Sequence, residues 1–298
     1  MTGFSIDWLD LREAADQRAR DGKLLEQAMQ WLKSANSSGP GMIVVDLGAG
    51  TGSTMRAFPI PASTERISLS WRLIDQDAGL LAEADLRHGG SQRLQTYRHG
   101  DTQREDTRRD TQRLQTYALD LADITALPLQ GAHLITASAL FDLVSAGFIE
   151  ALAAALQGLC QQQPVGLYST LNYDGTTRWT PPHPMDEAVL IAFNNDQHRD
   201  KGMGPALGPG AARYVERVFT RSGFKVLSAA SPWILDGTDS KLVTALISGI
   251  GDAVARDPAL DAASLQDWIQ FRKAQVTTGT CIVGHTDLLA LPGNDVKQ

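Results

Sequence analysis

MIVVDLGAGTGST, residues 42–54, is an apolar run that ends in an acid and is followed by three glycines at alternate positions. A short β-branched run of this kind is typical of a strand buried in a parallel sheet. Glycines directly after such a strand favour a tight turn in which the backbone approaches a nucleotide or a phosphate group. The stretch therefore predicts a strand that leads into a nucleotide-binding turn.

Strand-like and helix-like segments alternate along the rest of the chain. Further strands are predicted at 68–77, 114–123, 132–140, 164–175, 225–235 and 279–291. Helices are predicted at 6–34, 78–87, 148–159, 210–224 and within 239–275. This order indicates an α/β fold, in which helices cover both faces of a mostly parallel, doubly wound sheet. We expect an N-terminal helical cap at 1–38 and one domain at 39–298.

Composition excludes several classes of protein. The chain has 298 residues, 43% of them hydrophobic, and a formal net charge of -7. An acidic chain is a poor nonspecific ligand for nucleic acid or anionic membranes, although its net charge does not exclude a local basic groove. No apolar run is long enough for a signal peptide or a membrane span, so we expect a soluble, cytoplasmic protein. Cys160 and Cys281 lack metal-ligand spacing, and we expect buried thiols and no metal.

Two segments interrupt the alternation. Segment 87–117 contains QRLQTY twice, at 92–97 and 112–117. We interpret it as an exposed loop made by tandem duplication, with a polar interaction arm as the alternative. Segment 174–210 is rich in Gly and Pro and follows the end of a predicted strand. Because ligands of open α/β sheets bind outside the carboxyl ends of strands, we expect it to form an acceptor site or a lid.

The spacing of the three glycines separates two classes of cofactor. A dinucleotide-binding turn reads G-x-G-x-x-G, but here Ser53 stands at the place of the third glycine. Asp46, two residues before the first glycine, would repel a pyrophosphate and suits a ligand with a positive amino group. S-adenosylmethionine is such a ligand, and NAD is not. VVDLGAGTG resembles the first motif of class I S-adenosylmethionine-dependent methyltransferases.

This resemblance implies a Rossmann-like sheet of seven strands with an antiparallel last strand, preceded by a helical insertion at 239–275. It also implies a series of cofactor contacts at the strand ends. In WRLIDQD, Asp75 would hold the ribose hydroxyls and Gln76 would contact the adenine. In ALDLAD, Asp120 is the first candidate for the adenine amino group and Asp123 the second. The implied cofactor-binding residues are Asp46, Gly48, Ala49, Gly50, Gly52, Asp75, Gln76, Asp120, Leu121, Ala137 and Ser138.

The first predicted helix carries Arg12, Asp16 and Arg20 at intervals of four residues, hence on one face. One interpretation is a solvated stripe of ion pairs. The other is that this helix closes over the cofactor and Arg20 meets its carboxylate. His133 stands where the family has an acid, and we interpret it as structural. Asp77 is a candidate helix cap.

Methyl transfer from a sulfonium needs positioning and exclusion of water, and a base only when the acceptor carries a proton that must leave. The segment TASALFD lacks the Asn/Asp-Pro-Pro-Tyr pattern of enzymes that methylate amino groups of DNA bases or protein glutamine. For proton removal or acceptor binding we name Asp142, His183 and His198, with a capping acid and surface loop residues as the alternatives. Further acceptor-site candidates are Tyr168, Asn172, Tyr173, Asp200 and Lys201.

The sequence therefore favours a methyltransferase that transfers a methyl group to an O, N or C atom of a small molecule, with S-adenosylhomocysteine as product. The alternatives are a protein that binds this cofactor without methyl transfer and a protein or RNA methyltransferase. A NAD-dependent oxidoreductase is more remote. We expect no nucleic-acid or membrane partner.

Overall fold

The strands of the chain form a single sheet with helices packed on both faces. The computed structural model describes residues 4–35, 41–58, 69–88 and 113–293. The strands are β1 (Met42–Leu47), β2 (Leu69–Asp75), β3 (Arg113–Ala118), β4 (Leu134–Ser138), β5 (Gly166–Thr180), β6 (Phe224–Ala230), β7 (Trp233–Leu235) and β8 (Thr280–Pro292). The helices are α1 (Ile6–Ala19), α2 (Gly22–Ala35), α3 (Ser53–Ala57), α4 (Ala78–His88), α5 (Ala146–Cys160), α6 (Asp186–Gln197), α7 (Ala211–Arg221), α8 (Ser240–Val254) and α9 (Ala262–Ala274).

The strand order is β3-β2-β1-β4-β5-β8-β6, and β7 pairs with β8 beside this path. Strands β1 to β5 pair in parallel, whereas β8 runs antiparallel to both β5 and β6. The order reverses at β1 and β4, which is the switch point at which open α/β sheets bind ligands. The Rossmann-like fold with an antiparallel last strand is confirmed, with β7 as a short addition.

Alternate residues of β1 enter two different cores, as expected for a strand buried on both faces. Val45 and Leu47 pack with α5 and α7, whereas Met42 and Val44 pack with α2, α3 and α4. At the start of β1, the backbone N–H of Ile43 donates to Nδ1 of His133, at 3.1 Å. His133 therefore has the structural role that its sequence position suggests.

A third core lies beyond the carboxyl end of the parallel strands. It joins α1, α6, α8, α9 and β7 to the far ends of β5 and β8, and its largest buried side chain is Trp268. Helices α8 and α9 occupy the predicted helical insertion at 239–275. This core places α1 and the insertion at the carboxyl ends of the parallel strands, where the glycine turn also lies.

Segment 174–210 contains more regular structure than its Gly and Pro content indicates. Strand β5 continues through it to Thr180, because β8 is long enough to pair with it there, and α6 follows. Register shifts between Ser169 and Asn172 and between Tyr173 and Thr177 bend this extension. Periodicity alone did not reveal it, since the hydrogen-bonding partner lies far away in sequence.

Two predicted elements are each divided in the structure. The helix expected at 6–34 stops after Ala19, and the Asp21 carboxylate accepts a hydrogen bond from the backbone N–H of Leu24 to start α2. The strand expected at 225–235 is interrupted at 231–232, where Pro232 lacks a backbone donor. Both interruptions occur where the chain crosses the carboxyl ends of the parallel strands.

Most of the duplicated segment lies outside the described residues, since the description ends at His88 and resumes at Arg113. The second QRLQTY copy supplies the start of β3. None of the helices in the described part of the chain combines the length and apolar character that crossing a bilayer requires.

Asp287 on β8 joins three separate segments although its side chain is fully buried. One carboxylate oxygen accepts hydrogen bonds from the backbone N–H of Leu171 at 2.8 Å and from the Ser231 hydroxyl at 2.6 Å. The other accepts from the backbone N–H of Asp21, at 2.9 Å. The carboxylate thus ties the α1–α2 junction, the β5 bulge and the β6–β7 break to one point.

We predict that Asp287→Ala lowers the free energy of unfolding by about 3 kcal/mol or more, since an orphaned buried donor costs about 1–3 kcal/mol and this change orphans three. Urea denaturation of the variant and of the unaltered chain measures the difference in the free energy of unfolding. Asp252→Ala, at an exposed position on α8, is the control and should change stability little. Equal stability of Asp287→Ala and the unaltered chain would contradict the structural role.

Candidate functional site

The glycine turn after β1 depends on backbone conformations that other residues rarely adopt. Gly48, Gly50 and Gly52 have φ angles of 64°, 54° and 80°, in the left-handed region that favours glycine. A Cβ on Gly50 would lie 3.1 Å from Cδ1 of Leu9 in α1. The turn is therefore a narrow backbone cradle beneath the N-terminal helix.

Asp46 is buried at the end of β1, directly before this turn, with only 1% of its surface exposed. Its Oδ1 accepts a hydrogen bond from the Thr136 hydroxyl at 2.7 Å, while Oδ2 has no partner among the described residues. Burial raises the pKa of Asp46 to about 7, although the Thr136 hydroxyl and the charge of Arg20 act in the opposite direction. Such a carboxyl is suited to receive a positive group.

Asp75 ends β2 and contacts the glycine turn. Its Oδ2 accepts from the backbone N–H of Gly50 at 2.9 Å, and its Oδ1 accepts from the N–H of Asp77 at 3.0 Å. Asp77 itself caps α4, accepting from the N–H of Leu80 at 3.2 Å, so the capping role falls to Asp77. Gln76 between them is exposed.

After β3 the chain turns at Asp120, whose exposed carboxylate accepts from the backbone N–H of Ala122 at 2.9 Å. Leu121 is buried, with 7% exposure, and belongs to the core beneath α5. Asp123 caps the short 3₁₀ turn that follows. Asp120 thus lies at the carboxyl edge of the sheet, and Asp123 has a local role.

Arg20 lies just past α1 and reaches the ends of two neighbouring strands. Its guanidinium donates to the Thr170 hydroxyl on β5 at 2.6 Å and to the Ser138 hydroxyl on β4 at 3.1 Å. The side chain is 8% exposed, and its Nε has no partner among the described residues. Ala137, the residue before Ser138, is buried in the sheet. In the described part of the chain this buried guanidinium donates to two hydroxyls and forms no salt bridge, which makes it a candidate anion-binding group.

The stripe formed by Arg12, Asp16 and Arg20 is not a solvated row of ion pairs. Arg12 and Asp16 form a pair at 2.9 Å with side chains 12% and 6% exposed. The Asp16 carboxylate also accepts from the Trp233 indole N–H at 2.9 Å, and the Arg12 guanidinium lies 5.1 Å from the Trp233 ring centre. The solvated interpretation is wrong because the insertion at α8 and α9 supplies a core for this face.

Helix α1 is also tied to other elements along its outer side. Its partners are in α3, α4 and the turn before α8, through the salt bridges Glu13–Arg56, Asp10–Arg87 and Arg18–Asp239. Exposed pairs contribute little individually, but these three connect α1 to separate parts of the rim. The helix lies as a cover over the glycine turn.

Asp142 follows β4 and is buried, with 7% exposure. Its Oδ1 has no partner among the described residues. Burial raises the pKa of Asp142 to about 6, and the backbone N–H of Tyr173 and the positive charges of Arg12 and Lys201 oppose this shift. No capping contact of its carboxylate is found in the described part of the chain, which favours the acceptor-site interpretation over the capping one.

His285 on β8 is a buried polar residue beside Tyr173 that the sequence analysis missed. It is 5% exposed, and its ring lies 5.1 Å from that of Trp233 and 6.3 Å from that of Tyr173. Burial lowers its pKa to about 3, so the imidazole is neutral, and its Nδ1 has no partner among the described residues. The sequence around His285 did not indicate a functional role, because the residues that surround its ring, Tyr173 and Trp233, come from distant segments of the chain.

The three candidates on β5 have different surroundings. Tyr168 is buried in the core, with its ring 5.9 Å from that of Phe58. Asn172 donates to the Ser169 hydroxyl and to the Thr286 carbonyl, both at 2.9 Å, and thereby holds the bulge. Of the three, Tyr173 lies beside His285.

The other acceptor-site candidates lie in local turns. Nδ1 of His183 accepts from the backbone N–H of Met185 at 3.1 Å, and Nδ1 of His198 lies 3.3 Å from the Ala206 carbonyl. Asp200 accepts from the N–H of Gly202 at 2.7 Å, and Lys201 pairs with Asp196 at 2.9 Å. These contacts give His183 a role in the turn before α6, and His198, Asp200 and Lys201 a role in the segment after it.

Two concave features of the described residues lie along the helical insertion and not at the glycine turn. A cavity of about 10 Å³ beside Trp179 and Cys281 has room for about one water, and a shallow groove of about 390 Å³ runs along α8. Within the described residues, His, Cys, Asp and Glu do not gather in groups of three that could hold a metal ion. The candidate site is therefore defined by its polar groups at the carboxyl ends of the strands.

No protein-family model matches the chain, and no curated protein does either. A putative methyltransferase from Bacillus halodurans is similar in fold, at 12% identity and a TM-score of 0.49, over 92% of this chain and 100% of that chain. The cyclopropane synthase MmaA2 from Mycobacterium tuberculosis is similar at 11% identity and a TM-score of 0.47, over 97% and 94%. A putative sarcosine dimethylglycine methyltransferase from Galdieria sulphuraria has 8% identity and a TM-score of 0.46, over 97% of each chain. At such identities and scores a likeness does not carry function, which has to be argued from this chain's own residues.

The raised pKa of Asp46 predicts an effect of pH on stability. Since the pKa lies above its ordinary value of 3.8, folding favours the protonated acid, and stability is lost as pH rises through about 7. Asp46→Asn keeps an acceptor for Thr136 and removes the charge. We expect its melting temperature to exceed that of the unaltered chain at pH 8, by about 2–4 °C for each 1 kcal/mol, and to equal it only once the pH falls below about 3.8. A lower melting temperature of the variant at pH 8 contradicts this prediction.

Proposed function

We propose that this chain is an S-adenosylmethionine-dependent methyltransferase whose acceptor is a small molecule. The observation that carries the proposal is a complementary pair of buried charges at the glycine turn. Asp46 and Arg20 each have a polar atom without a partner among the described residues, and the charge of Arg20 reaches Asp46. The amino-acid end of the cofactor has one ammonium and one carboxylate group, which these two residues match.

The remaining strand ends fit the rest of the cofactor. The carboxylate of Asp75 has oxygens for a vicinal diol such as a ribose, and it already lies against the backbone of Gly50. Asp120 stands at the next strand end, with Gln76 exposed beside Asp75 and Leu121 as an apolar neighbour. Gly48, Gly50 and Gly52 let the backbone of the turn come close to a bound adenosyl group.

The chemistry that the bound cofactor supplies is an activated methyl group on a sulfonium. The residues of this chain bind and orient its two charged ends and exclude water. Leu9 of α1 covers the turn, which favours desolvation of the site once it is closed. No residue has to activate the leaving group.

A small acceptor is favoured by the burial of the groups beyond Arg20. Asp142 and His285 are 7% and 5% exposed under α1 and the helical insertion, so a folded protein surface could not reach them. The net charge of -7 speaks against RNA. NAD is disfavoured because the carboxylate of Asp46 stands where its pyrophosphate would lie.

We predict that S-adenosylmethionine or S-adenosylhomocysteine raises the melting temperature and that Asp75→Ala abolishes most of this shift, because the ribose loses its acceptor. Thermal-shift titration up to millimolar ligand measures it. Asp77→Asn is the matched control, since Asn also caps helices, and it should keep the full shift. The absence of any shift in the unaltered chain with both ligands contradicts the cofactor assignment.

A second prediction separates the two ends of the cofactor. Arg20→Met removes the partner of the carboxylate and should weaken binding of S-adenosylhomocysteine by about 10- to 100-fold, as expected for a hydrogen bond to a charged group. Binding of methylthioadenosine, which lacks the amino-acid end, should not change. Isothermal titration calorimetry measures both, with Arg18→Met, more exposed on α1, as control. Equal losses for the two ligands would falsify the role of Arg20.

A further inference from the structure

A second group of buried polar side chains lies beyond the cofactor residues, on the same side of the sheet. The Arg12 guanidinium lies over the ring of Trp233, and the His285 ring lies near the rings of both Trp233 and Tyr173, at 5.1 and 6.3 Å. Asp142 belongs to the same group, since the charge of Arg12 and the backbone N–H of Tyr173 both reach its carboxylate. We call these five residues the Asp142 cluster.

Two polar atoms of the Asp142 cluster lack a partner in the described part of the chain. They are Oδ1 of Asp142 and Nδ1 of His285, in side chains that are 7% and 5% exposed. Buried polar atoms are almost always hydrogen-bonded, so each such exception needs a reason. The charge of Arg12 acts on both residues, and Tyr173 has its ring 6.3 Å from that of His285 and its backbone N–H near the Asp142 carboxylate, so both residues lie around Arg12 and Tyr173. A polar ligand that forms hydrogen bonds with both atoms would explain why neither has a partner within the protein's described residues.

The charges of the Asp142 cluster restrict the kind of ligand. Its two nearby cations are already paired, Arg12 with Asp16 and Lys201 with Asp196, both at 2.9 Å. Within the described residues both of these cations are therefore engaged, and an anionic ligand would meet the carboxylate of Asp142. The groups that fit are neutral donors of a hydrogen bond, namely a hydroxyl or an uncharged amine.

The position of the Asp142 cluster relates it to the predicted cofactor site. Arg12 lies in α1 and Arg20 just past its end, eight residues further along the chain, a separation that corresponds to about 12 Å along a helix. Asp142 also follows Ser138, a partner of Arg20, by four residues. The cluster is thus next to the amino-acid end of the cofactor site, within the length of a small molecule.

Resting on the proposed function, we propose that the Asp142 cluster is the acceptor subsite, that the acceptor presents a hydroxyl or amine group there, and that Asp142 removes its proton. The acceptor oxygen or nitrogen forms a bond to the methyl carbon while the carbon–sulfur bond breaks and sulfur keeps its electron pair. The proton goes to the Asp142 carboxylate. The positive sulfonium and the negative carboxylate are both neutral afterwards, so charge balances.

The environment of Asp142 predicts the pH dependence of this step. The charged and titratable groups that face it are Arg12 from α1, Lys201 from the turn after α6 and Tyr173 from β5. Burial places the pKa of Asp142 at about 6, in the range in which a base works near neutral pH. Because the base acts as the carboxylate, turnover should fall as the pH drops through about 6.

The experiment uses the full chain with S-adenosylmethionine and paired acceptor probes. The protic probes are benzyl alcohol, phenol and aniline, and each is paired with its O-methyl or N,N-dimethyl counterpart. Formation of S-adenosylhomocysteine measures turnover, and ligand-observed NMR in the presence of S-adenosylhomocysteine measures binding. The variants are Asp142→Asn and the control Asp252→Asn, at an exposed position. A retained thermal shift with S-adenosylmethionine shows that each variant is folded.

We expect turnover of at least one protic probe and none of its methylated partner. Asp142→Asn should lower kcat by about 100-fold or more, the usual contribution of a general base, with little change in KM, and Asp252→Asn should not. Three results overturn the proposal: turnover unaffected by Asp142→Asn, unaltered-chain turnover that does not fall between pH 7 and 5, or no probe that binds or reacts while the cofactor shift persists. Loss of the cofactor shift in the unaltered chain instead overturns the proposed function.

Discussion

The contact of Arg20 and Asp21 with the strand ends is the interaction on which the site depends. The guanidinium of Arg20 reaches β4 and β5, and the next residue donates its backbone N–H to the buried carboxylate of Asp287. Together they end one helix, start the next and hold α1 over the carboxyl edge of the sheet. This junction fixes the point at which α1 and α2 meet relative to the strand ends.

Burial of charge is the second constraint, and it explains why stability and binding compete here. Asp46 and Asp142 are both desolvated at the same edge, and burial raises the pKa of each. A carboxylate that lacks a full set of partners destabilises the fold when it ionises. The same property makes such a carboxylate a strong partner for a positive group and suits it to accept a proton. Asp46 and Asp142 therefore lower stability for the same physical reason that makes them candidates for binding and proton removal.

The β1 strand, its glycine turn and the acids at the strand ends could be predicted because their signals are local. Apolar runs, glycine spacing and the position of Asp46 and Asp75 lie within a few residues of one another. Long-range pairing left no such signal. The extension of β5 to Thr180 depends on β8, and the break at Arg20 depends on hydroxyls of Ser138 and Thr170, which are distant in sequence.

The sequence by itself determined the alternation of strands and helices and the turn at Gly48 to Gly52, because these follow from periodicity and from backbone sterics. Asp46 and the resemblance of the turn to a known motif favoured the class of cofactor. Only the tertiary structure decided that the face of Arg12 and Asp16 is buried and that His285 lies beside Tyr173. The physical reason is that burial and charge environment are properties of neighbours in space. Here those neighbours come from opposite ends of the chain.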